Sequence, residues 1–272
     1  NIFPDSWQLI TDIKTIENNN IYPFTFFPST INEPLILINN QNKTKCFSNV
    51  CTHRAHLVVD KPCNKNKLRC MYHGRTFNLD GSFNYMPGFE NAQDFPTEKE
   101  NLQTVPVINW KNFIWASLKG NIDIMPILND IEIRLPHYPF DTLTHNEKSS
   151  KSWEIDAHWA IYCENYLEGL HVPFVHKGLS KEIDNNTYNT IISNNGVLQY
   201  AKSADHKQGV YGYYYWIFPN LMLNFYSWGL SINIIEPISA QRTRIRFLSY
   251  PIKNNKEPPT ISSPSFETNN LI

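Results

Sequence analysis

Cys51-Thr-His53 and Cys70-Met-Tyr-His73 are the two stretches that say most about the fold of this 272-residue chain. Each stretch places one thiol and one imidazole close together, and residues 54–69 separate the two pairs. A [2Fe–2S] cluster with two Cys on one iron and two His on the other needs this ligand set. Structural zinc sites usually group their ligands as Cys-x2–4-Cys and His-x3–5-His. The mixed pairs therefore favour the cluster, with zinc as the alternative.

The residues around these pairs resemble the two ligand loops of a Rieske domain. The matching stretches are Cys51-Thr-His-Arg54 and Cys70-Met-Tyr-His-Gly74. Neither loop holds a spare Cys of the kind that forms a disulfide clamp in respiratory Rieske proteins, so the resemblance is to the oxygenase and ferredoxin branch. His56 follows the first pair closely, and we interpret it as a loop residue because four ligands are already supplied.

A second candidate metal site follows at Glu168-x-x-His171-x4-His176. On an unbroken helix the two His would lie about 140° apart, so we expect a break at Pro173 to turn His176 towards His171. Two His and one carboxylate form the facial triad of non-haem Fe(II) oxygenases, which leaves positions open for O₂. The pattern alone also suits a buried helix with two ordinary histidines. An upstream electron donor favours the iron site, because a donor needs an acceptor.

The longer motif Asn165-x-x-Glu168-x-x-His171-x4-His176 is similar to the mononuclear-iron motif of Rieske non-haem iron ring-hydroxylating oxygenases, α subunit. The residues around its acid, Glu-Asn-Tyr-Leu-Glu at positions 164–168, resemble the corresponding sequence of the choline-monooxygenase-like and related aromatic oxygenase-like members. The resemblance implies that His171 and His176 ligate a catalytic Fe(II). It also implies that Asn165 lies near the open iron positions.

The same resemblance assigns Glu168 to a bridging position between subunits. The acid would link an iron-ligating His on one subunit to a cluster-ligating His, His53 or His73, on its neighbour. A carboxylate hydrogen-bonded between two imidazoles orients both and shortens the electron path. Because Glu168 precedes His171 by three residues, we expect both on one face of the same helix.

The resemblance also implies a third iron ligand, an Asp or Glu on a C-terminal helix. The chain stops at Ile272, where such a helix would begin. Glu267 precedes the place where the family's acid falls, so we do not assign it. We expect the third ligand beyond Ile272, in a C-terminal segment missing from this sequence.

Hydrophobic patterning predicts an α+β chain with two domains. Residues 1–120 read as short strands and hairpins, with a turn at Asp80-Gly81, and we expect an all-β Rieske [2Fe–2S] domain. Residues 121–150 are expected to form a linker. Residues 151–272 contain a helical period from Trp159 to Leu170 followed by long strands, which predicts an α+β catalytic domain of helix-grip type with an antiparallel sheet.

The later strands are rich in aromatic residues. They supply a surface for lining a substrate pocket, and an ordinary sheet core is the alternative. The candidate residues are Tyr213, Tyr215, Phe218, Leu223, Phe225 and Trp228.

Composition excludes several classes of function. The chain has 24 basic and 25 acidic residues and a net charge of −1, which indicates neither a nucleic-acid nor an anionic-membrane partner. No apolar run approaches the ~20 residues that cross a bilayer. Five Cys, an odd number, argue against a disulfide framework and predict a cytoplasmic protein. The first residue is Asn1, so we expect the chain to begin inside its gene product.

Together these features predict a Rieske-type mono- or dioxygenase. It would use O₂ and electrons from a separate reductase or ferredoxin to hydroxylate or oxidatively demethylate a small aromatic or quaternary-ammonium substrate. The resemblance implies a head-to-tail homotrimer. The alternatives are a Rieske electron carrier and a small-molecule binding protein, each with an incomplete iron site.

Overall fold

The computed structural model describes residues 2–40, 43–205 and 209–253. The chain divides into two compact units, Asn1–Asn121 and Ile122–Ile272. None of the helices formed by the described residues is long and apolar enough to cross a membrane.

The first unit is almost entirely β. In chain order its elements are β1 (Gln8–Asp12), α1 (Ile13–Ile16), β2 (Ile21–Phe26), β3 (Glu33–Asn40), β4 (Lys43–Ser48), β5 (Lys67–Arg69), β6 (Thr76–Asn78), β7 (Phe83–Tyr85), β8 (Thr104–Val105), β9 (Val107–Trp110) and β10 (Phe113–Ala116). These strands pair antiparallel in three sheets, with the orders β1-β10-β9, β2-β3-β4-β8 and β5-β6-β7.

Strand β3 is buried on both faces because its apolar residues are continuous. Successive side chains of a strand point to opposite faces. Ile36 and Ile38 enter one apolar core, while Leu35 and Leu37 enter a second one. The first of these cores also contains the two candidate ligand cysteines. The strand therefore supports the part of the unit where the two motif loops start.

The second unit is built on one seven-stranded antiparallel sheet. In chain order the elements are α2 (Met125–Arg134), β11 (Lys151–Ile155), α3 (Trp159–Tyr166), α4 (Val172–Val175), α5 (Lys177–Glu182), β12 (Asn189–Ser193), β13 (Gly196–Lys202), β14 (Val210–Ile217), β15 (Leu221–Tyr226), β16 (Gly229–Pro237) and β17 (Thr243–Pro251). The strand order in the sheet is β11-β17-β16-β15-β14-β13-β12.

This arrangement confirms the predicted α+β class, with a β unit first and an antiparallel sheet in the unit that follows. The chain segment between β11 and β12 carries three helices and runs from one edge strand of the sheet to the other. The second candidate metal motif lies in this segment.

Residues 122–150 pack within the second unit. The Tyr215 hydroxyl donates to Asp130 Oδ2 of α2 at 2.8 Å. The Asn146 amide donates to the carbonyl of Ser249 in β17 at 2.8 Å. The assignment of residues 121–150 as a linker and the other predicted domain boundaries stay predictions.

The predicted helix from Trp159 to Leu170 is too long by one turn. Helix α3 ends at Tyr166, and the chain continues as a loop until α4. Pro173 does not break a helix, since it lies in the first turn of α4, where its missing N–H costs nothing. Glu168 is therefore a loop residue, and the expectation that it shares a helix face with His171 is wrong.

Candidate metal centres

The first motif loop folds back on itself through its own backbone. The Cys51 amide donates to the carbonyl of His56 at 2.8 Å, and the Ala55 amide donates to the carbonyl of Cys51 at 3.0 Å. Ala55 has φ of 51° to allow this turn. His56 is exposed, and its Nδ1 donates to the Leu57 carbonyl at 2.7 Å, which fits its interpretation as a loop residue.

The second motif loop repeats the same hydrogen bonds. The Cys70 amide donates to the carbonyl of Arg75 at 2.8 Å, and the Gly74 amide donates to the carbonyl of Cys70 at 3.1 Å. Gly74 has φ of 74° at the position that Ala55 occupies in the first loop. The left-handed conformation favours glycine here. The two loops are thus alike in backbone, although their His residues follow the Cys at different distances.

The four candidate ligands form two separate pairs. Cys51 and Cys70 are buried in one core, with 3% and 2% of their surface exposed. Burial raises the pKa of the Cys51 thiol, and the Cys70 thiol beside it raises it further. The rings of His53 and His73 lie 4.8 Å apart between centroids, at 73°. A buried thiol pair and an imidazole pair match a cluster with two Cys on one iron and two His on the other.

The imidazole of His53 fits a ligand role. Its Nδ1 is buried and has no hydrogen-bond partner within the described residues. Burial lowers the pKa of His53, and the charges of His73 and Arg75 lower it further. A neutral ring with a free nitrogen is the form that binds metal.

The second motif places its two histidines at the two ends of α4. His171 precedes the helix and His176 follows it. Their rings lie 4.9 Å apart between centroids, at 72°. The short helix, rather than a break at Pro173, therefore brings the two rings together.

His176 fits a metal ligand in the same way as His53. It is 3% exposed, and in the part of the chain that the structure describes nothing hydrogen-bonds to its Nδ1. Burial lowers the pKa of His176, and the neighbouring His171 lowers it further. The neutral, unpartnered ring can therefore accept a metal ion.

Glu168 is placed beside these histidines without forming a three-ligand site with them. Its carboxylate is hydrogen-bonded to Nδ1 of His171 and to the backbone amides of Leu170 and His171. The described residues hold no group of three metal-ligating side chains, so a third ligand is not supplied here. Glu267 lies outside the described residues.

A pocket opens at the histidine pair. The pocket is partly open to solvent. Asn165 of α3, the candidate for the open iron positions, lies in its wall. The lining residues are Tyr162, Asn165, Tyr166, Glu168, His171, Val172, His176, Leu179, Tyr188, Gln199, Tyr214, Asn224 and Tyr226.

The aromatic residues predicted from the late strands do not line this pocket. Alternate residues of a strand face opposite sides, and the pocket takes Tyr214, Asn224 and Tyr226. The residues between them face away. Tyr215 and Phe225 are 0% and 1% exposed, as the alternative of an ordinary sheet core requires. Hydrophobicity does not show which strand face meets a pocket, so sequence reasoning missed these residues.

A chain of hydrogen bonds holds the end of α3 against the sheet. The Tyr166 hydroxyl donates to Asn224 Oδ1 at 2.6 Å, and Gln199 Nε2 donates to the Tyr166 carbonyl at 2.5 Å. The Tyr188 hydroxyl donates to Gln199 Oε1 at 3.1 Å. A Cβ added to Gly169 would lie 2.3 Å from the Tyr188 ring. Any larger residue at this point of the loop would have to displace the Tyr188 ring.

Known proteins resemble this chain in sequence and in fold. Residues 6–105 match the family model of the Rieske [2Fe-2S] domain. The chain is 29% identical over 257 residues to a chloroplastic choline monooxygenase of Amaranthus tricolor, covering 90% of this chain and 57% of that protein. It is 27% identical over 241 residues to the carnitine monooxygenase oxygenase subunit of Escherichia coli (strain K12), covering 82% and 62%. The chain thus spans about three fifths of these curated relatives.

Solved structures share the fold. The quaternary ammonium Rieske monooxygenase CntA, in complex with an inhibitor, superposes with a TM-score of 0.76 at 21% identity, over 95% of this chain and 72% of that one. Naphthalene 1,2-dioxygenase with indole bound in its active site gives a TM-score of 0.70 at 17% identity, over 94% and 68%. At these identities the likeness concerns the fold alone.

Proposed function

We propose that this chain is a Rieske oxygenase α subunit related to choline and carnitine monooxygenases, and that it oxidises a small quaternary ammonium compound. It would use O₂ and supplied electrons to hydroxylate or oxidatively demethylate that compound. One observation carries the proposal. The first unit pairs two buried thiols and two imidazoles, and the second unit pairs two imidazoles at the wall of an open pocket.

In this proposal Cys51, Cys70, His53 and His73 hold a [2Fe–2S] cluster. The buried thiol pair and the free Nδ1 of His53 fit that group. When bound, the cluster supplies one electron at a time at a mild potential. The thiols lie in the core while the rings of His53 and His73 lie nearer the surface, so the histidine end is the side that faces an electron donor or acceptor.

His171 and His176 would hold the mononuclear Fe(II), with a carboxylate from beyond Ile272 as the expected third ligand. The free Nδ1 of His176 fits this role. When bound, the ferrous ion supplies the chemistry of O₂ activation. Glu168 accepts from Nδ1 of His171, which fixes the tautomer of that ring and leaves its Nε2 for metal. Asn165 remains a candidate for contact with substrate or O₂.

The pocket lining suits a quaternary ammonium group better than a bare arene. Five tyrosines contribute aromatic faces, and these attract a cation that has lost its water. The carboxylate of Glu168 adds negative charge, and the amides of Gln199 and Asn224 add polar contacts. An arene carries no positive charge to attract that carboxylate.

The active species in this proposal is a homotrimer in which each cluster faces a neighbour's iron. Apolar side chains are exposed next to both sets of candidate ligands. Met71 and Tyr72, on the cluster loop, are 77% and 60% exposed, and Leu170 and Phe174, beside the iron histidines, are 84% and 78% exposed. Exposed apolar surface of this kind marks interfaces. Inter-subunit electron transfer is attributed to a quaternary ammonium Rieske monooxygenase of known structure.

Glu168 would bridge the two centres in that trimer. A carboxylate offers about four acceptor positions, and the contacts within this chain use one at Oε1 and two at Oε2. The side chain is 44% exposed. The remaining position on Oε1 is available to a ring N–H of the neighbouring subunit.

Electrons would come from a separate reductase or ferredoxin. The curated carnitine relative is described as an oxygenase subunit, which is consistent with a separate electron donor. The cytoplasmic location stays a prediction, and the choline monooxygenase relatives are chloroplastic.

Metal analysis of the full-length gene product tests the function. We expect three irons and two acid-labile sulfides per chain, with a Rieske EPR signal after anaerobic reduction. Two irons with two sulfides would instead indicate a Rieske electron carrier, and zinc without sulfide would exclude the cluster. The chemically reduced protein is then given O₂ with choline, carnitine or naphthalene. Product from a quaternary ammonium compound supports the proposal, and product from naphthalene alone overturns it.

A further inference from the structure

A buried arginine outside the proposed ligand set connects the two cluster loops. The side chain of Arg75 is 2% exposed. Its Nη1 donates to Thr52 Oγ1 at 2.6 Å and to Glu100 Oε2 at 3.0 Å. Thr52 lies between Cys51 and His53, and its hydroxyl donates to the backbone carbonyl of Glu100 at 2.8 Å. Arg75, which follows the ligands of the second loop, is thus hydrogen-bonded to the residue that lies between the two candidate ligands of the first loop.

The positive charge of Arg75 is only partly compensated. Its guanidinium carbon lies 5.2 Å from the ring centre of Phe83 and 5.7 Å from that of Phe95. Its Nε has no hydrogen-bond partner among the described residues. The carboxylate of Glu100, which pairs with it, is 21% exposed and so is partly screened by water. A buried charge between aromatic rings is screened much less.

Arg75 differs in its surroundings from Arg54, the other arginine of the first loop region. Arg54 is exposed to solvent, whereas the guanidinium of Arg75 is buried and is hydrogen-bonded to Thr52, between Cys51 and His53. A buried charge is screened less than an exposed one, so Arg75 has the stronger influence on the first loop.

We propose that Arg75 raises the reduction potential of the [2Fe–2S] cluster held by Cys51, His53, Cys70 and His73. One-electron reduction adds one negative charge to the cluster, and a fixed buried cation stabilises the reduced form more than the oxidised form. The bond to Thr52 holds that cation at the first loop. The inference rests on the cluster of the proposed function, but not on the iron site or on the substrate.

Redox titration of the full-length protein, followed by EPR, tests this role. In Arg75→Met we expect the ratio of reduced to oxidised cluster at a fixed poise to fall about tenfold, which is about 59 mV for a one-electron couple. Arg75→Lys keeps the charge and should stay closer to the wild type. Glu100→Gln removes the opposing charge and keeps an acceptor oxygen, so its potential should rise.

Thr52→Val is the matched control, because it removes the hydrogen bond and leaves the charge. A shift in Thr52→Val as large as that in Arg75→Met would assign the effect to loop geometry and overturn the proposal. An unshifted potential in a fully loaded Arg75→Met protein would also overturn it. If Arg75→Met loads no cluster, Glu100→Gln decides, since an unchanged or lowered potential there contradicts the proposal. A wild-type protein without a Rieske signal overturns the proposed function itself.

Discussion

Glu168 and His171 are joined by a hydrogen bond between Oε1 and Nδ1, and the same carboxylate also accepts the amide N–H groups of Leu170 and His171 through Oε2. Three donors thus converge on one carboxylate. Burial raises the pKa of Glu168, but these hydrogen bonds outweigh burial and hold the pKa below its usual range. The group is therefore ionised at neutral pH and acts only as an acceptor.

Glu168→Gln should lower turnover by about 10–100-fold, the usual effect of losing a partner of a metal-ligating His. A primary amide has one acceptor oxygen, so either the His171 ring or the backbone amides must face an NH₂ group. We expect both metal centres to stay loaded and the cluster to remain reducible, as measured by iron content and EPR. Glu164→Gln, an exposed position on α3, is the control. Full activity in Glu168→Gln would contradict the bridging role.

Gly169→Ala should weaken iron binding in the second unit. The added methyl group would meet the Tyr188 ring, and relieving that overlap costs about 1–3 kcal/mol. The loop that carries Glu168 and His171 must then move. The measurement is the iron content per chain. The acid-labile sulfide content gives the iron held in the cluster, and the remaining iron is that of the second site. The double variant Gly169→Ala/Tyr188→Leu makes room for the methyl and should recover iron. Undiminished iron in the single variant would show that the loop tolerates the methyl.

Tyr214→Phe should weaken substrate binding without loss of stability. Tyr214 is 6% exposed, and its hydroxyl has no hydrogen-bond partner of good geometry in the described residues. The hydroxyl does lie near that of Tyr226. Burial raises the pKa of Tyr226, and the nearby Tyr214 hydroxyl lowers it in part. Removing such a group is neutral or stabilising by up to about 1 kcal/mol. We expect Tm to hold or rise while KM rises several-fold.

Tyr215→Phe is the control for Tyr214→Phe, because it carries the same change on the opposite face of β14. Its hydroxyl is bonded to Asp130, so this variant should lose about 1–3 kcal/mol of stability with KM unchanged. The assignment of the pocket face is wrong if KM responds to Tyr215→Phe and not to Tyr214→Phe.

Phe174→Glu should dissociate the proposed trimer. Phe174 is 78% exposed beside the candidate iron ligands, and a charge there would be buried unpaired in the interface. Light scattering after size-exclusion chromatography measures the mass of the assembly. Ile192→Glu carries the same charge at an equally exposed apolar residue, 81% exposed, on edge strand β12. A trimer that survives Phe174→Glu, or that Ile192→Glu disrupts instead, would place the interface elsewhere.

Cys46 and Cys163 should resist alkylation in the folded protein. Burial raises the pKa of each thiol to about 12, so at pH 8 on the order of one molecule in ten thousand carries the thiolate. Cys63 is half-buried and should react first with iodoacetamide, as mass spectrometry of digests would show. Removing the cluster by acid and chelator should add reaction at Cys51 and Cys70. Early labelling of Cys163 would mean that the core of the second unit opens readily.

The cluster loops could be predicted from sequence because their information is local. Each loop is closed by hydrogen bonds within six residues of its Cys, from Cys51 to His56 and from Cys70 to Arg75. The pairing of His171 with His176 was also predictable, since one turn of helix lies between them. The structural cause of this pairing was not predictable. A proline such as Pro173 can either break a helix or begin one, and the sequence alone does not decide between the two.

Features that depend on distant parts of the chain escaped prediction. The end of α3 at Tyr166 is held by Gln199, which lies in β13, and Gln199 is in turn bonded to Tyr188, which directly precedes β12. The pocket face of β14 depends on which side of the sheet the helices cover. The burial of Arg75 depends on Phe83, Phe95 and Glu100. No single-sequence pattern marks an arginine that will be enclosed.

The order of the seven-stranded sheet has a consequence for how the protein matures. The segment with His171 and His176 follows β11, whose partner in the sheet is β17, the last described strand. The two ends of this segment are fixed at different times during synthesis, because β12 pairs with β13 soon after both have emerged, whereas β11 must wait for β17. The first unit is complete once β10 has paired with β1, well before that point, and domains fold in turn during synthesis. Cluster insertion can therefore begin on a nascent chain, before the seven-stranded sheet beside His171 and His176 is complete.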